Sequence, residues 1–371
     1  MPHSTLAIHR LEVRDFRNLA AQVVELGARF NLLAGENGQG KTNLLEALYV
    51  AATTRSFRTA ALAECVRHDA PSALVRARVH DARQADLART QSVEIAAGRR
   101  RVQIDGKRPA TLASYALATP IVVFEPASLA LSQGGAAERR RLLDRVAIHL
   151  AVRHGGGAAL LADLERYRRA HVHRKKALER GVDPRVLEPF ERLMAEHGAS
   201  IVRARAEAAR ALSTRAVPGF EAIARSSLVL SIDYAPRAPD DPDAFAKLLS
   251  ERRALDARRK SATRGPHLDD LSLLLGGRPA RQVASQGQHR AIVLALKGAE
   301  LRAIADAREV EPILLLDDVS SELDPRRNAA LFAFLHAQVG QVVLTTTRPE
   351  LIEIEADRRD FEVASGVVRP R

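Results

Sequence analysis

The chain has 371 residues, 57 Lys/Arg against 45 Asp/Glu for a formal net charge of +12, and a single cysteine, Cys65. That length predicts two domains with ample core, and one cysteine excludes an intramolecular disulfide and a cysteine-built metal site, leaving Cys65 as a small core residue. No apolar run approaches the roughly 18 residues of a membrane span and the amino terminus lacks the apolar centre of a secretory signal, so a cytoplasmic protein with no membrane partner is expected. A protein this basic most often meets a polyanion, and nucleic acid is the commonest. Aromatic residues are only 4% with no Trp, so stacking platforms are scarce, which favours phosphate contacts on a duplex over a stacked single strand.

In chain order, "LAIHRLEV" and "ALVRARVH" alternate as strands do, and "RFNLLAG" between them reads as a buried strand. It runs into Gly35-Glu36-Asn37-Gly38-Gln39-Gly40-Lys41-Thr42 and then "NLLEALYVAA", which carries Leu44, Leu45, Leu48 and Ala52 on one helical face. A turn needs one glycine. Three glycines followed by a lysine and a hydroxyl form the pattern of a loop whose backbone N–H groups converge on one anion. Lys41 then reaches the β- and γ-phosphates, the Thr42 hydroxyl binds Mg²⁺, and a helix from about Asn43 points its positive end at the phosphates. The expected ligands are a nucleoside triphosphate and Mg²⁺. Further on, "RRVQIDGKRPA" reads as a hairpin around Asp105-Gly106, and "TPIVVF" as a central strand ending at Glu125-Pro126.

Composition changes after residue 126. The text becomes Ala, Leu, Arg and Glu, with helical stretches on either side of "GVDPRV" that predict an antiparallel helical pair. Residues 138–180 hold twelve Lys/Arg against five Asp/Glu, a local charge of +7. Arg168, Arg169 and Lys175 are the candidate DNA contacts in this run. His171 and His173 are two apart and diverge on a helix, which makes them poor metal co-ligands.

Strand character returns with "GPHLDDLSLLLGGRPA", so an α/β nucleotide-binding domain made of residues 1–126 and 266–371 is expected, split by a helical insertion at 127–265. "ASQGQHR" offers Ser285, Gly287 and Gln288 at the start of a helix, a second anion-binding geometry or a simple cap on Ser285. One chain cannot easily aim two helix starts at the same γ-phosphate from opposite sides, but two chains can. "ILLLDD" then ends a buried strand in two carboxylates, where a charge is costly unless a metal or its water uses it. Asp317 is the expected metal ligand, and Asp318 the residue that orients the attacking water.

The order of phosphate loop, "SQGQ" and "LLLDDVSSELD", with "TTRSFR", "GGAAERRRLLD" and "GPHLDDL" between, resembles the RecF family of bacterial recombination mediators, in the chromosome-maintenance and DNA-repair branch of the ABC-type ATPases. The resemblance implies an ABC-type P-loop ATPase head with an inserted α-helical lobe. It implies an ATP-dependent homodimer in which Ser285 of one head reaches the γ-phosphate held by the other, slow hydrolysis, and binding of double-stranded DNA near gaps. It further implies RecO and RecR as partners in loading RecA. Four features depart from the pattern. The signature begins Ala284-Ser285-Gln286 and not Leu-Ser-Gly, Thr345–Thr347 stand where many ABC ATPases carry a switch histidine, Asp318 stands where transporters use Glu, and Leu268 replaces an expected Arg. The rival class is the ATPase subunit of an ABC transporter, whose signature follows its phosphate loop far more closely. Here Lys41 and Ser285 are 244 positions apart.

Overall fold

The computed structural model describes residues 3–83, 88–181, 183–224, 227–318, 340–354 and 357–371, so residues 319–324 of "LLLDDVSSELD" lie outside the described residues. Contacts divide the chain into one unit of residues 1–128 with 304–371 and a second of residues 129–303. The first unit opens with strands β1 (Ser4–Arg14), β2 (Gln22–Glu25) and β3 (Phe30–Ala34), helix α1 (Lys41–Thr53), strands β4 (Ser72–Asp81), β5 (Ala88–Ala96) and β6 (Arg99–Ile104), helix α2 (Leu112–Ala116) and strand β7 (Ile121–Phe124). The second holds helices α3 (Ala130–Gln133), α4 (Ala136–Val152), α5 (Gly157–Arg180) and α6 (Glu188–Ala224), strand β8 (Leu230–Ala235), helices α7 (Pro242–Glu251) and α8 (Arg253–Arg259), strands β9 (Asp270–Leu275) and β10 (Arg278–Pro279), and helix α9 (Ala280–Val283). Helix α10 (Gln286–Arg308) follows, and strands β11 (Val310–Glu311), β12 (Ile313–Leu316), β13 (Val342–Thr346), β14 (Arg358–Ala364) and β15 (Val367–Pro370) complete the first unit.

Two sheets build that first unit. One has the order β11-β1-β4-β5-β6, with β2 also on β1, and is antiparallel except for β11. The other has the order β15-β14-β3-β13-β12-β7, parallel throughout except for β15. Strands β3, β12 and β13 are buried at every residue, the near-continuous apolar text of a sheet covered on both faces. Helix α1 packs on β4 and β5 of one sheet and on β7 and β13 of the other. That double contact explains why its burial goes beyond the expected stripe to include Ala47, Val50 and Ala51. Each large side chain so buried stabilises by roughly 1.5–3 kcal/mol.

"TPIVVF" does form a strand, but β7 is the edge of the described sheet and not its centre. An apolar run reports that the faces are covered and says nothing of strand order. The hairpin at Asp105-Gly106 is present: Ile104 and Lys107 exchange both backbone hydrogen bonds across a turn with φ of 50° and 73°, the geometry that favours Asp-Gly.

In the second unit α5 ends at Gly181, left-handed with φ 63°, and α6 returns alongside. The pairs Asp163 with His197 and Ser200, and Arg174 with Glu191, run in opposite chain directions, so the two helices are antiparallel. Helix α6 continues through Pro218, where a stop is the ordinary expectation, because Ala216 and Phe220 are fully buried on either side. Strand β8 interrupts the stretch that reads as helical, pairing with β9 in a three-stranded antiparallel sheet. The expected return at residue 266 also shifts. Residues 266–303 gather with the second unit, because β9 pairs with β8, Arg139 binds Asp270, Arg205 binds Asp269 and Arg145 binds Glu300.

Candidate nucleotide-binding site

The loop from Gly35 to Gly40 connects β3 to α1, and two of its glycines are sterically required. A Cβ on Gly35 would stand 2.3 Å from the Val363 carbonyl oxygen, and Gly40, the N-cap of α1, has φ 113°. The helix begins at Lys41, two residues earlier than expected. Neighbours hold the loop by its carbonyls and side chains. Asn18 Nδ2 donates to the Gly38 carbonyl at 3.2 Å, the Gly366 amide to the Gln39 carbonyl at 2.9 Å, and the Ser365 amide to Gln39 Oε1 at 2.6 Å. Among the described residues, the amides from Glu36 to Asn43 donate to no backbone or side-chain acceptor. A row of unspent N–H donors at a helix start is what a phosphate needs.

Lys41 is only 6% exposed, and its Nζ donates to the carbonyls of Gly35 at 2.7 Å and Glu36 at 2.8 Å. Burial pushes its pKa down, against the opposing pull of Asp318 and then Asp317. Those two carboxylates follow β12. Because β3, β13 and β12 are adjacent and parallel, their carboxyl ends lie on one side, where open α/β sheets bind ligands. Thr42 Oγ1 donates to Asp317 at 2.8 Å and 3.0 Å from its two oxygens. Thr345, at the end of β13, donates to Asp317 Oδ1 at 2.8 Å and accepts the Asp318 amide at 2.9 Å. Asp318 itself sits at φ 46°, a left-handed conformation that costs about 1–3 kcal/mol and that aspartate tolerates better than most residues.

The donor set suits a magnesium ion. Thr42 and Asp317 bring a hydroxyl and a carboxylate to one point, and Mg²⁺ takes one or two such ligands with phosphate oxygens and waters completing its shell. Among the described residues no group of three or more His, Cys, Asp or Glu side chains could hold a metal, so no all-protein cage competes.

The other expected residues belong to the second unit. Ser285 and Gln288 form a reciprocal cap on α10: the Gln288 amide donates to Ser285 Oγ at 3.2 Å, and the Ser285 amide to Gln288 Oε1 at 2.8 Å. Ser285 and Gln286 are exposed, Gly287 is buried, and buried His289 pairs with Ser132 Oγ at 2.7 Å. On α5, Arg168 and Arg169 are each 71% exposed and share Glu165, while Lys175 lies 3.8 Å from Glu179. Hydrogen bonds from Arg168 and then Arg169 hold the Glu165 carboxyl below the usual range. The +7 of this run overstates its field. Arg139, Arg145 and Arg174 pair with Asp270, Glu300, Glu191 and Asp256, all outside the run. His171 and His173 diverge as expected, toward His267 and Phe190. Cys65 is fully buried, with its thiol pushed up to about 12 by burial and by Glu46.

The sequence model of the family described as RecF/RecN/SMC N terminal domain matches residues 7–364. A DNA replication and repair protein RecF from Anaeromyxobacter sp. (strain Fw109-5) is 40% identical over 371 residues, covering 97% of this chain and 98% of that protein. The RecF of Myxococcus xanthus (strain DK1622) is 39% identical over 380 residues, covering 99% and 97%. The chain belongs to the RecF family. A solved structure of the recombination mediator protein RecF-ATP in the RecFOR pathway superposes with a TM-score of 0.89 at 27% identity, covering 100% of this chain and 98% of that one. The Smc head domain of Pyrococcus furiosus, at TM-score 0.57 and 16% identity, shares the fold alone. The RecF fold here is α/β, an ABC-type P-loop ATPase head with an inserted helical lobe. Among the described residues no helix is long and apolar enough to cross a membrane.

Three residues of this chain bear on the site without a local signal. Thr345 was visible only as a departure from histidine, yet its hydroxyl ties the Asp317 carboxylate to the Asp318 backbone amide. Asn18 touches the loop from a turn between β1 and β2. Glu46, on α1 with no exposed surface, binds Arg17, the residue before Asn18.

Proposed function

We propose that this chain is an ATP-dependent, DNA-binding recombination mediator. It binds ATP with Mg²⁺, dimerises on it, hydrolyses it slowly, holds duplex DNA near gaps, and acts in the cytoplasm with RecO and RecR to promote RecA loading. The observation that carries the reading is the meeting of Thr42 with Asp317 beside a loop of unspent amides. The family's RecF relatives and the RecF-ATP likeness support it. Gly35, Glu36, Asn37, Gly38, Gln39 and Gly40 wrap the phosphates, and Lys41 turns from the loop carbonyls to the β- and γ-oxygens. Thr42 and Asp317 hold Mg²⁺, which neutralises phosphate charge when bound. Asp318 accepts the proton of the attacking water and aligns it. Ser285, with Gly287 and Gln288, closes the site from the second chain. Arg168, Arg169 and Lys175 contact DNA phosphates. A transporter ATPase subunit finds no support in relatives that are RecF proteins along nearly their whole length.

Asp318→Asn separates binding from hydrolysis. The amide keeps the shape and cannot take a proton, so turnover falls by about 10²-fold or more while Asp317 still supports the metal. The variant should accumulate as an ATP-bound dimer on a sizing column. A variant that binds no ATP would make Asp318 the principal metal ligand and overturn the assignment.

A further inference from the structure

We infer that Glu46 is a positioning residue for the phosphate loop, through a closed ring of side chains that ends on the loop itself. The inference rests on the ATP reading above and extends it to a residue outside the loop. Glu46 lies one helical turn beyond Thr42 on α1 and is 0% exposed. It accepts from Arg17 Nε at 2.9 Å and Nη2 at 2.8 Å, from Ser56 Oγ at 2.5 Å and from Arg58 Nη1 at 3.3 Å, with Cys65 Sγ at 3.6 Å. A buried carboxylate must be paired, and this one is paired to two separate segments at once. Burial alone would push its carboxyl up, but hydrogen bonds from Arg17 and Ser56 and the Arg17 and Arg58 charges reverse that and hold it below the usual range.

The first segment is the turn after β1. Arg17 and Asp15 are left-handed there, at φ 53° and 50°, and the Arg17 amide donates to the Cys65 carbonyl at 2.7 Å. This unusual backbone is fixed by the bidentate contact to Glu46, and it presents the next residue, Asn18, to the phosphate loop. Asn18 Nδ2 donates to the Gly38 carbonyl, and its Oδ1 accepts from Asn43 Nδ2 at 2.7 Å. The second segment closes the circuit, since Arg58 Nη1 donates to Asn43 Oδ1 at 2.6 Å as well as to Glu46. The ring therefore runs from Glu46 through Arg17, Asn18, Asn43 and Arg58 and back. A core ion pair that served stability alone would have no reason to reach Gly38. Weakening its charged centre lets Asn18 drift from the loop, and the amides lose the fixed aim that makes them an anion site.

The test uses the full chain with Glu46→Gln, Asn18→Ala and both together, titrated with Mg-ATP by a fluorescent ATP analogue and by steady-state turnover, with melting curves alongside. Each single variant should weaken ATP binding by about tenfold, raising KM while kcat stays within about twofold, because Lys41, Asp317 and Asp318 are untouched. The double variant should be no weaker than the weaker single, since both cut one ring. Asn18 is exposed, so Asn18→Ala should melt with the wild type and decides the matter even if Glu46→Gln does not fold. Wild-type ATP affinity in Asn18→Ala, or a Glu46→Gln that melts lower with unchanged KM, would overturn the inference and leave the ATP site standing. A wild-type chain that binds no ATP would overturn the parent reading and this one with it.

Discussion

Helix α1 of the first unit and helix α5 of the second are both dense in charge nearby, and they use it in opposite ways. Around α1 the charges converge. Lys41, Asp317 and Asp318 face one another at the head of the helix, and Glu46 gathers Arg17 and Arg58 one turn below. Along α5 they are answered by nearby carboxylates: Arg174 by Glu191 and Asp256 in the core, Arg168 and Arg169 by Glu165 at the surface, Lys175 by Glu179. A linear count of arginines makes the second region look like the stronger ligand site. Three-dimensional pairing reverses that order, because a field on a ligand depends on which charges remain after their neighbours are counted.

The largest effect that can test this contrast lies within α5 itself. Arg174 is 0% exposed between two carboxylates, so Arg174→Ala leaves Glu191 with Arg253 and Asp256 with Thr263 but removes the buried charge between them, and should cost about 3–5 kcal/mol in urea unfolding. Arg168→Ala, six residues away and largely solvated, should change stability by less than about 0.5 kcal/mol. Equal losses would mean that the two arginines are not doing different jobs.

What the sequence made legible was whatever is local in the chain. The phosphate loop, the helix after it and the strand ending in Asp317 and Asp318 are each contiguous, and hydrophobic period and glycine spacing locate them. The ring through Glu46, Asn18 and Arg58 was not legible, since its members come from three separate segments and only tertiary packing joins them. The same holds for Ser365 and Gly366 at the tip of the last hairpin, which pin Gln39 from the far end of the chain. Strand β7 reads as central because burial and strand order leave the same apolar trace, and α6 outruns its proline because packing on both sides outweighs one missing hydrogen bond. The cap formed by Ser285 and Gln288 is visible in "SQGQ", yet a cap and a γ-phosphate contact call for the same residues.

A smaller effect sharpens the surface half of the contrast. Reversing Arg168, Arg169 and Lys175 to Glu should flatten the salt dependence of duplex binding with ATP present, by about 0.9 in the slope of log affinity against log salt for each DNA phosphate that the variant no longer neutralises. Turnover without DNA should not change. Parallel lines of equal affinity would show that this face of α5 only meets solvent, as its pairing with Glu165 and Glu179 permits, and would move the DNA surface elsewhere.

The central claim is that a nucleotide held by the first unit of one chain is closed by the second unit of another. Sedimentation velocity of the wild type and of Ser285→Arg, each with and without Mg-ATP, tests it directly. The wild type should shift from monomer to dimer on ATP. Ser285→Arg should bind ATP with ordinary affinity and stay monomeric, because a large cation at the exposed start of α10 blocks closure while leaving the phosphate loop intact. A Ser285→Arg chain that dimerises on ATP as the wild type does would contradict the claim and leave Ser285 as a helix cap alone.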